Sequence, residues 1–176
     1  MIARDDWPPP QELRGRRVRL EPLRVEHAPE MAPLLADPDL YAFIGQAPPT
    51  ALELEQRYRR QTAGRSPDGS QLWLNWVVRR LDDGRAVGTV QATVTKEGAD
   101  LVAEVAWLIA TDHQGRGYAR KAAQLIVTWL RQQGARVVIA HVHPKHEASA
   151  AVARAVGLTP TATVVDGEVR WRRDQW

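Results

Sequence analysis

The chain has no cysteine among its 176 residues. That excludes disulfides, cysteine-based zinc sites and a cysteinyl acyl-enzyme, so any acyl transfer must be direct or use another nucleophile. No apolar run approaches the ~20 residues of a membrane span, and the start Met1-Ile2-Ala3-Arg4-Asp5-Asp6 lacks the apolar core of a signal peptide. A cytoplasmic protein with no membrane partner is expected. Charge of one sign is also scarce: 24 Lys and Arg against 21 Asp and Glu leave a formal net charge of +3. That is too little to argue for nucleic acid, and Arg14-Gly15-Arg16-Arg17 and Arg170 to Arg173 read as solvated strand ends. A chain of this length with 44% hydrophobic residues can bury one good core and has no room for two full domains.

What is present is the run Asp112-His113-Gln114-Gly115-Arg116-Gly117-Tyr118-Ala119-Arg120-Lys121-Ala122, which joins an apolar strand to an alanine-rich helix through a turn nearly free of side-chain bulk. Gly115 and Gly117 can take positive φ and let backbone N–H groups approach a ligand closely; the helix behind them adds unpaired amides and a positive dipole end. Arg116 and Arg120 bring cationic charge to the same place, which suits phosphate. Ala119, Ala122, Ala123, Ile126, Val127 and Leu130 recur at the spacing of a buried stripe, and Gly134 stops the helix. Small residues at its start let the turn sit near the carboxyl end of the preceding strand. Taken alone, such a turn is as often an ordinary helix start after a tight loop.

Along the chain, Trp7-Pro8-Pro9-Pro10 reads as a stiff polyproline arm, residues 1–13, ahead of a single domain over 14–176. Arg16 to Leu20 alternates into a first strand, and Val25 to Ala36 is helical until Asp37-Pro38 ends it. Pro48-Pro49-Thr50 introduces a second helix to about Gln61, and Gly64 to Ser70 is a loop. Leu72 to Arg80, Ala86 to Thr95 and Leu101 to Ala110 form an antiparallel meander turning at Asp82-Asp83-Gly84 and Glu97-Gly98. After the long helix come a strand at Arg136 to Val142, a short helix at Glu147 to Val156 and a hairpin around Asp166-Gly167. The strands ending near Ile109 and starting at Arg136 are joined by a helical crossover and so run parallel. The fold class is α+β.

The segments beside the turn, Ala103 to Ala110 before it and Arg136 to His143 after its helix, resemble with it the GNAT superfamily of N-acetyltransferases. In that superfamily a Gln/Arg-x-x-Gly-x-Gly/Ala pattern, here Gln114, Gly117 and Ala119, binds the pyrophosphate of acetyl-CoA. His146-Glu147-Ala148-Ser149 and Gly157-Leu158 resemble the family's Asn-x-x-Ser helix and its Gly-Phe ending. The resemblance covers roughly Arg14 to Arg173 and is closest to the ribosomal-protein N-terminal (RimJ/RimL-like) branch. It implies a mixed, mostly antiparallel sheet flanked by helices, with the parallel pair splayed open around the pantetheine arm. Trp107, Leu108 and Ile109 would then contact that arm through their backbone, and Gln114, Gly115, Arg116, Gly117, Tyr118, Ala119 and Arg120 would hold the pyrophosphate.

Amide formation needs a neutral amine, and an alkyl ammonium has a pKa near ~10, so a proton must be removed. Glu104 interrupts an apolar run and stands where the N-terminal acetyltransferase branch has a glutamate proposed as a base acting through water. A solvated outward-facing Glu is the alternative. A carboxylate among apolar strand residues is also of the kind whose pKa rises toward a base's range. Many superfamily members protonate the departing thiolate from a tyrosine; that position is Ala153 here, and Ser149, on the same helical face, would look into the cleft beside it. Ser149 could equally bond a carbonyl of its own helix. His146 replaces the family's asparagine, which contacts pantetheine.

His141, His143 and His146 invite a metal reading, but no carboxylate accompanies them at ligand spacing, and no metal is expected. His27 and His113 read as solvated loop or helix-edge residues. Trp73 and Trp76, three apart on a strand, face opposite sides; one could line the acceptor pocket, though packing for both is the simpler reading. Resemblance puts acceptor specificity at roughly Tyr41 to Arg60 and Thr161 to Trp171, where mixed charge does not choose among a protein N-terminus, an aminoglycoside and a small metabolite. The expectation is direct transfer from acetyl-CoA to a primary amine, a protein N-terminus or a small molecule, by a monomer or homodimer with no nucleic-acid partner. A noncatalytic acyl-CoA-binding or regulatory module is the alternative. Nicotinamide-dinucleotide binding fits less well, because the turn comes late, after antiparallel strands, with no acidic residue closing a βαβ unit.

Overall fold

Alternation writes two different faces into each long strand. In β3 (Gln71–Arg80), Leu72, Leu74, Trp76 and Val78 enter the main core, which leaves Trp73 and Asn75 on the opposite face. In β4 (Ala86–Glu97), Val90, Ala92 and Val94 enter the same core, and Thr89, Gln91 and Thr93 join Asn75. In β5 (Asp100–Ile109), Ala103, Val105 and Ile109 do likewise, opposite Glu104, Ala106 and Leu108. One face of the central sheet is therefore apolar throughout and the other is partly polar. The computed structural model describes residues 7–174; the start Met1 to Asp6 lies outside them.

The sheet also contains β1 (Leu13–Arg14), β2 (Val18–Pro22), β6 (Val137–Val142), β7 (Thr159–Val165) and β8 (Glu168–Asp174), in the order β1-β2-β3-β4-β5-β6-β8-β7. Every pairing is antiparallel except β5 with β6. Helix α3 (Tyr118–Gln132) makes the crossover between these two, and its Ala122, Ala123, Ile126 and Leu130 are buried against the apolar face. Helix α4 (Glu147–Ala155) lies on the same side. Helices α1 (Ala28–Leu34) and α2 (Ala51–Gln61) pack on the other face through Met31, Leu35, Leu54 and Tyr58, against Val77, Ala86 and Leu108. Helix α2 starts where Pro48-Pro49-Thr50 directs it: Thr50 Oγ1 accepts from the Glu53 amide (3.2 Å) and Glu53 Oε2 accepts from the Thr50 amide (2.8 Å), a capping box worth about 1 kcal/mol.

The arm is docked. Trp7 is buried edge-on against Trp129, which in turn meets Trp76 edge-on (5.5 Å), and the Trp76 indole donates to the Gln11 carbonyl at 2.8 Å. The boundary expected at residues 13 and 14 falls within β1.

Three expectations are corrected. Arg170 to Arg173 are not a solvated strand end: β8 lies between β6 and β7, which half-buries Arg170, Arg172 and Arg173. His27 is not solvated but 3% exposed, because its Nδ1 accepts from the Arg24 amide at 3.0 Å and its Nε2 lies 3.4 Å from the Glu21 carboxylate. Arg79 completes that cluster by binding both Glu21 and Glu30. His113 is on a turn but half-buried, edge-on to Tyr118.

Candidate active site

Parallel pairing between β5 and β6 covers only Val102↔Val137, Ala103↔Val138 and Glu104↔Ile139. Beyond Glu104 the strands part, so the backbone of Val105 to Ile109 on that edge is released from β6. A cavity of about 370 Å³ occupies the opening, with Trp107, Leu108 and Ile109 on one wall and His146, Ser149 and Val152 on the other. Gly88 fixes the position of β5 here, since a Cβ on it would fall 2.0 Å from the Leu108 carbonyl oxygen.

At the mouth of the cavity stand Gln114, Gly115, Gly117, Tyr118, Ala119 and Arg120. Gly115 (φ 71°) and Gly117 (φ 80°) adopt the left-handed backbone anticipated for them, with open space around Gly115. Gly117 caps α3, so the first amides of that helix face the cleft without intrahelical partners. The Gln114 side chain donates to the Ile109 carbonyl at 2.9 Å, which ties the turn to the end of β5. Arg17 braces the turn from behind, donating to the Arg116 carbonyl at 2.8 Å and lying over the Tyr118 ring. Tyr118 is buried in the core, so only its backbone serves the cleft. The Arg116 side chain is exposed and is not among the lining residues.

Ser149 faces the cleft, and its Oγ accepts the Trp107 indole N–H at 3.0 Å across the splay. Its own O–H is thereby left free to donate into the opening. Ala153 is fully buried, pointing with Ala150 into the core, so the cleft-facing residues of α4 are Ala148, Ser149 and Val152. The tyrosine-equivalent position therefore lies behind the cleft wall. His146 caps α4, its Nδ1 accepting the Ser149 amide at 3.4 Å, and its ring stacks on Phe43 (4.5 Å, 22°). Burial, reinforced by the charge of His143, holds the His146 pKa below the usual histidine value, against Glu168. With Nδ1 accepting, the neutral ring carries its proton on Nε2 and can donate it.

Glu104 stands where the splay begins, half-exposed on the partly polar face. Its Oε1 is 2.8 Å from His141 Nδ1, and Arg170 Nε donates to His141 Nε2 at 3.3 Å. Arginine only donates, so His141 carries its proton on Nδ1 and gives that hydrogen bond to Glu104. The second carboxylate oxygen remains available. His143 lies tilted against Phe43 (5.0 Å, 40°), and among the described residues no three His, Asp or Glu side chains form a metal-holding group.

A second cavity, of about 200 Å³, lies across β5, where it shares Trp107 and Leu108 with the cleft. Arg57 and Tyr58 of α2 form its roof with Leu54, and Asn75, Gln91 and Ala106 form its floor. An adjoining groove runs along Arg57, Arg60, Trp73, Gln91 and Thr93. Trp73 thus lines the groove, and Trp76, fully buried in the core, also borders the second cavity. Sequence reasoning missed the roles of His141, Arg170, Phe43, Gly88 and Arg57. The alternation Val137-x-Ile139-x-His141 next to the parallel register of Glu104 was the one available signal for His141.

The sequence matches the family model described as "Acetyltransferase (GNAT) domain" over residues 17–159. No curated protein matches. Among solved structures, a RimL ribosomal L7/L12 alpha-N-protein acetyltransferase in complex with coenzyme A superposes with a TM-score of 0.76 at 14% identity, covering 94% of this chain and 98% of that one. An acetyltransferase from Agrobacterium tumefaciens gives 0.69 at 24% identity, covering 94% and 95%. The microcin C7 self-immunity acetyltransferase MccE, in complex with acetyl-CoA and AMP, gives 0.72 at 13% identity, covering 91% and 93%. At these identities the likeness is one of fold.

Proposed function

The chain belongs to the GNAT acetyltransferase family, and from that premise we propose that it moves an acetyl group from acetyl-CoA to a primary amine by direct transfer in a ternary complex. The observation that carries this reading is the opening of β5 from β6 directly after Glu104, with the glycine turn at its mouth. The open cleft and the unstrained space beside Gly115 fit the donor. The first amides of α3 and Arg120 hold the pyrophosphate, and the freed backbone of Trp107, Leu108 and Ile109 holds the pantetheine arm. His146 Nε2–H offers that arm a further hydrogen bond. The donor, when bound, supplies an activated thioester carbonyl.

The acceptor reaches that carbonyl from the other side of β5. Glu104, oriented by His141, takes a proton from the ammonium directly or through water, and the neutral amine can then form the N–C bond as the C–S bond breaks. Freed β5 amides stabilise negative charge on the carbonyl oxygen. The nitrogen sheds its second proton as the bond to sulfur breaks, the departing CoA thiolate takes one up, and Ser149, its lone pair engaged by Trp107, donates a hydrogen bond to that sulfur. A cytoplasmic enzyme of one domain with a short docked arm is part of this reading, as is a place near the RimJ/RimL-like branch.

The test is mass-spectrometric screening of amines and N-terminal peptides with acetyl-CoA. Release of CoA matched by an N-acetylated product supports the reading. Tight CoA binding with no transfer across the panel would replace it with a noncatalytic binding module.

A further inference from the structure

The acceptor cavity contains two features that its packing does not explain. Arg57 is half-buried, and its guanidinium makes no hydrogen bond or ion pair among the described residues. The charge of Arg57 reaches Glu53 one turn back on α2, but that carboxylate is hydrogen-bonded by Thr50, and Glu55 is already paired with Arg59. Beside it Tyr58 is 3% exposed, with a buried hydroxyl that has no partner among the described residues. A buried hydroxyl without a partner is destabilising, so a ligand that accepts from it recovers a penalty already present in the empty fold. The rest of the wall is largely apolar: Leu23, Leu35, Leu54 and Leu108 line it.

We propose that this cavity selects the acceptor: it takes a small amine with an apolar body and a carboxylate, the carboxylate lying between the Arg57 guanidinium and the Tyr58 hydroxyl. The amine then lies toward Glu104, which stands one pleat along β5 from the floor residue Ala106. The site is thus cationic at one end and anionic at the other, matching an amino acid with its own charges reversed. Burial pushes the Tyr58 hydroxyl up to about 12, against the charge of Arg57, so it stays a donor at any working pH. One guanidinium and one hydroxyl match a single negative charge. A phosphate, at about −1.5 to −2, would leave charge unmatched against an apolar wall. The volume of about 200 Å³ is below the ~300 Å³ of the smallest usual ligand pockets, which limits the body to one amino-acid side chain.

This inference rests on the acetyltransferase reading, but its test has an arm that does not. In the first arm, acetyl transfer to leucine, methionine and phenylalanine is compared with transfer to their amides. The amides carry the weaker base and hence more free amine near neutrality, so chemistry alone favours them. The cavity should reverse this, giving at least one free amino acid a kcat/KM tenfold or more above its amide. Arg57→Gln should erase the preference mainly through KM, and Tyr58→Phe, which keeps the ring's packing, should erase part of it. Equal use of acids and amides, or a preference that survives Arg57→Gln, overturns the proposal while leaving the acetyltransferase intact.

In the second arm, calorimetry measures binding of the N-acetyl forms of the same acids and amides to the CoA-bound protein. Binding of an acid at least tenfold tighter than its amide, lost in Arg57→Gln, supports the cavity assignment even if no amine is turned over. No binding by any acid overturns it.

Discussion

The two cavities that meet at Trp107 and Leu108 are built from different materials. The cleft between β5 and β6 adds backbone to its side chains: beside Ser149, His146 and Phe43 stand the freed edge of β5, the amides of a left-handed glycine turn and the start of α3. The cavity under α2 presents side chains. Backbone amides suit a ligand that is always the same, and side chains suit one that differs between relatives. Donor binding should therefore respond to changes of backbone geometry, and acceptor choice to changes of side chain.

The largest expected effect falls on the residue between the two regions. Glu104→Gln keeps shape and loses the base, so kcat should fall by roughly 10²–10⁴-fold with acetyl-CoA affinity nearly unchanged, as steady-state kinetics and calorimetry would read. A fully active variant would return Glu104 to an ordinary surface role. Next is Gly88→Ala, whose new Cβ would meet the Leu108 carbonyl. Overpacking of this kind costs about 1–3 kcal/mol; here it should also displace the cleft wall, so both thermal stability and acetyl-CoA affinity fall.

Gly117→Val forces a β-branched residue into φ 80°. It should weaken acetyl-CoA by at least tenfold, about 1.4 kcal/mol, with the fold retained by circular dichroism, whereas Arg57→Gln should leave that affinity unchanged. Loss of CoA affinity in Arg57→Gln would mean the two cavities are not separate. Smaller effects come from pH. His27 is held below its ordinary pKa first by burial, although the charge of Glu21 opposes this. The unfolded chain then binds a proton near pH ~6.5 that the folded chain does not, so stability is full above that value and declines as pH falls through it. Glu21 and Glu30 are held low by Arg79, despite burial that opposes the shift at both, and their contribution is lost only at still lower pH. Melting temperatures between pH 8 and 4 should show both stages, and His27→Gln should flatten the first.

His146 gives the smallest expected change. Protonation below its depressed pKa removes the Nδ1 acceptor that caps α4, so acetyl-CoA affinity should weaken a few-fold only below pH ~6.5. That is lower than the window centred near pH ~6.5 expected for an unperturbed histidine contacting pantetheine. His146→Asn, which can cap equally well, should remove the pH dependence and keep binding. The same dependence in the Asn variant, by calorimetry across pH, would place His146 outside the donor site.

The glycine turn and the helix behind it were legible in the sequence because their signals are local. Gly115 and Gly117 stand next to the helix they start, and the α3 stripe from Ala122 to Leu130 has the period of the face it buries. Elements from β3 to β5 were found by their alternation and turns. Of the second cavity, the segment Tyr41 to Arg60 that carries Arg57 and Tyr58 was legible, but not the contacts made across the fold, because they join residues distant in sequence: His141 reaches Glu104 from 37 positions away, and under α1 Arg79 reaches Glu30 from 49. His27 looked like a surface residue because nothing near it in sequence shows that Glu21 and Arg79 close over it. Ala153 was placed beside the cleft by helical spacing, but its neighbours on the core side decide its direction.

Direct transfer across β5 is the central claim, and a single turnover tests it. The protein, in excess over acetyl-CoA, is mixed with an accepted amine or with none, and chain and small molecules are weighed after quenching. The account predicts that the chain never gains mass, with CoA and N-acetylated amine appearing together in equal amounts and neither forming quickly without the amine. An acetylated chain that forms with acetyl-CoA alone and passes its group to the amine would contradict it.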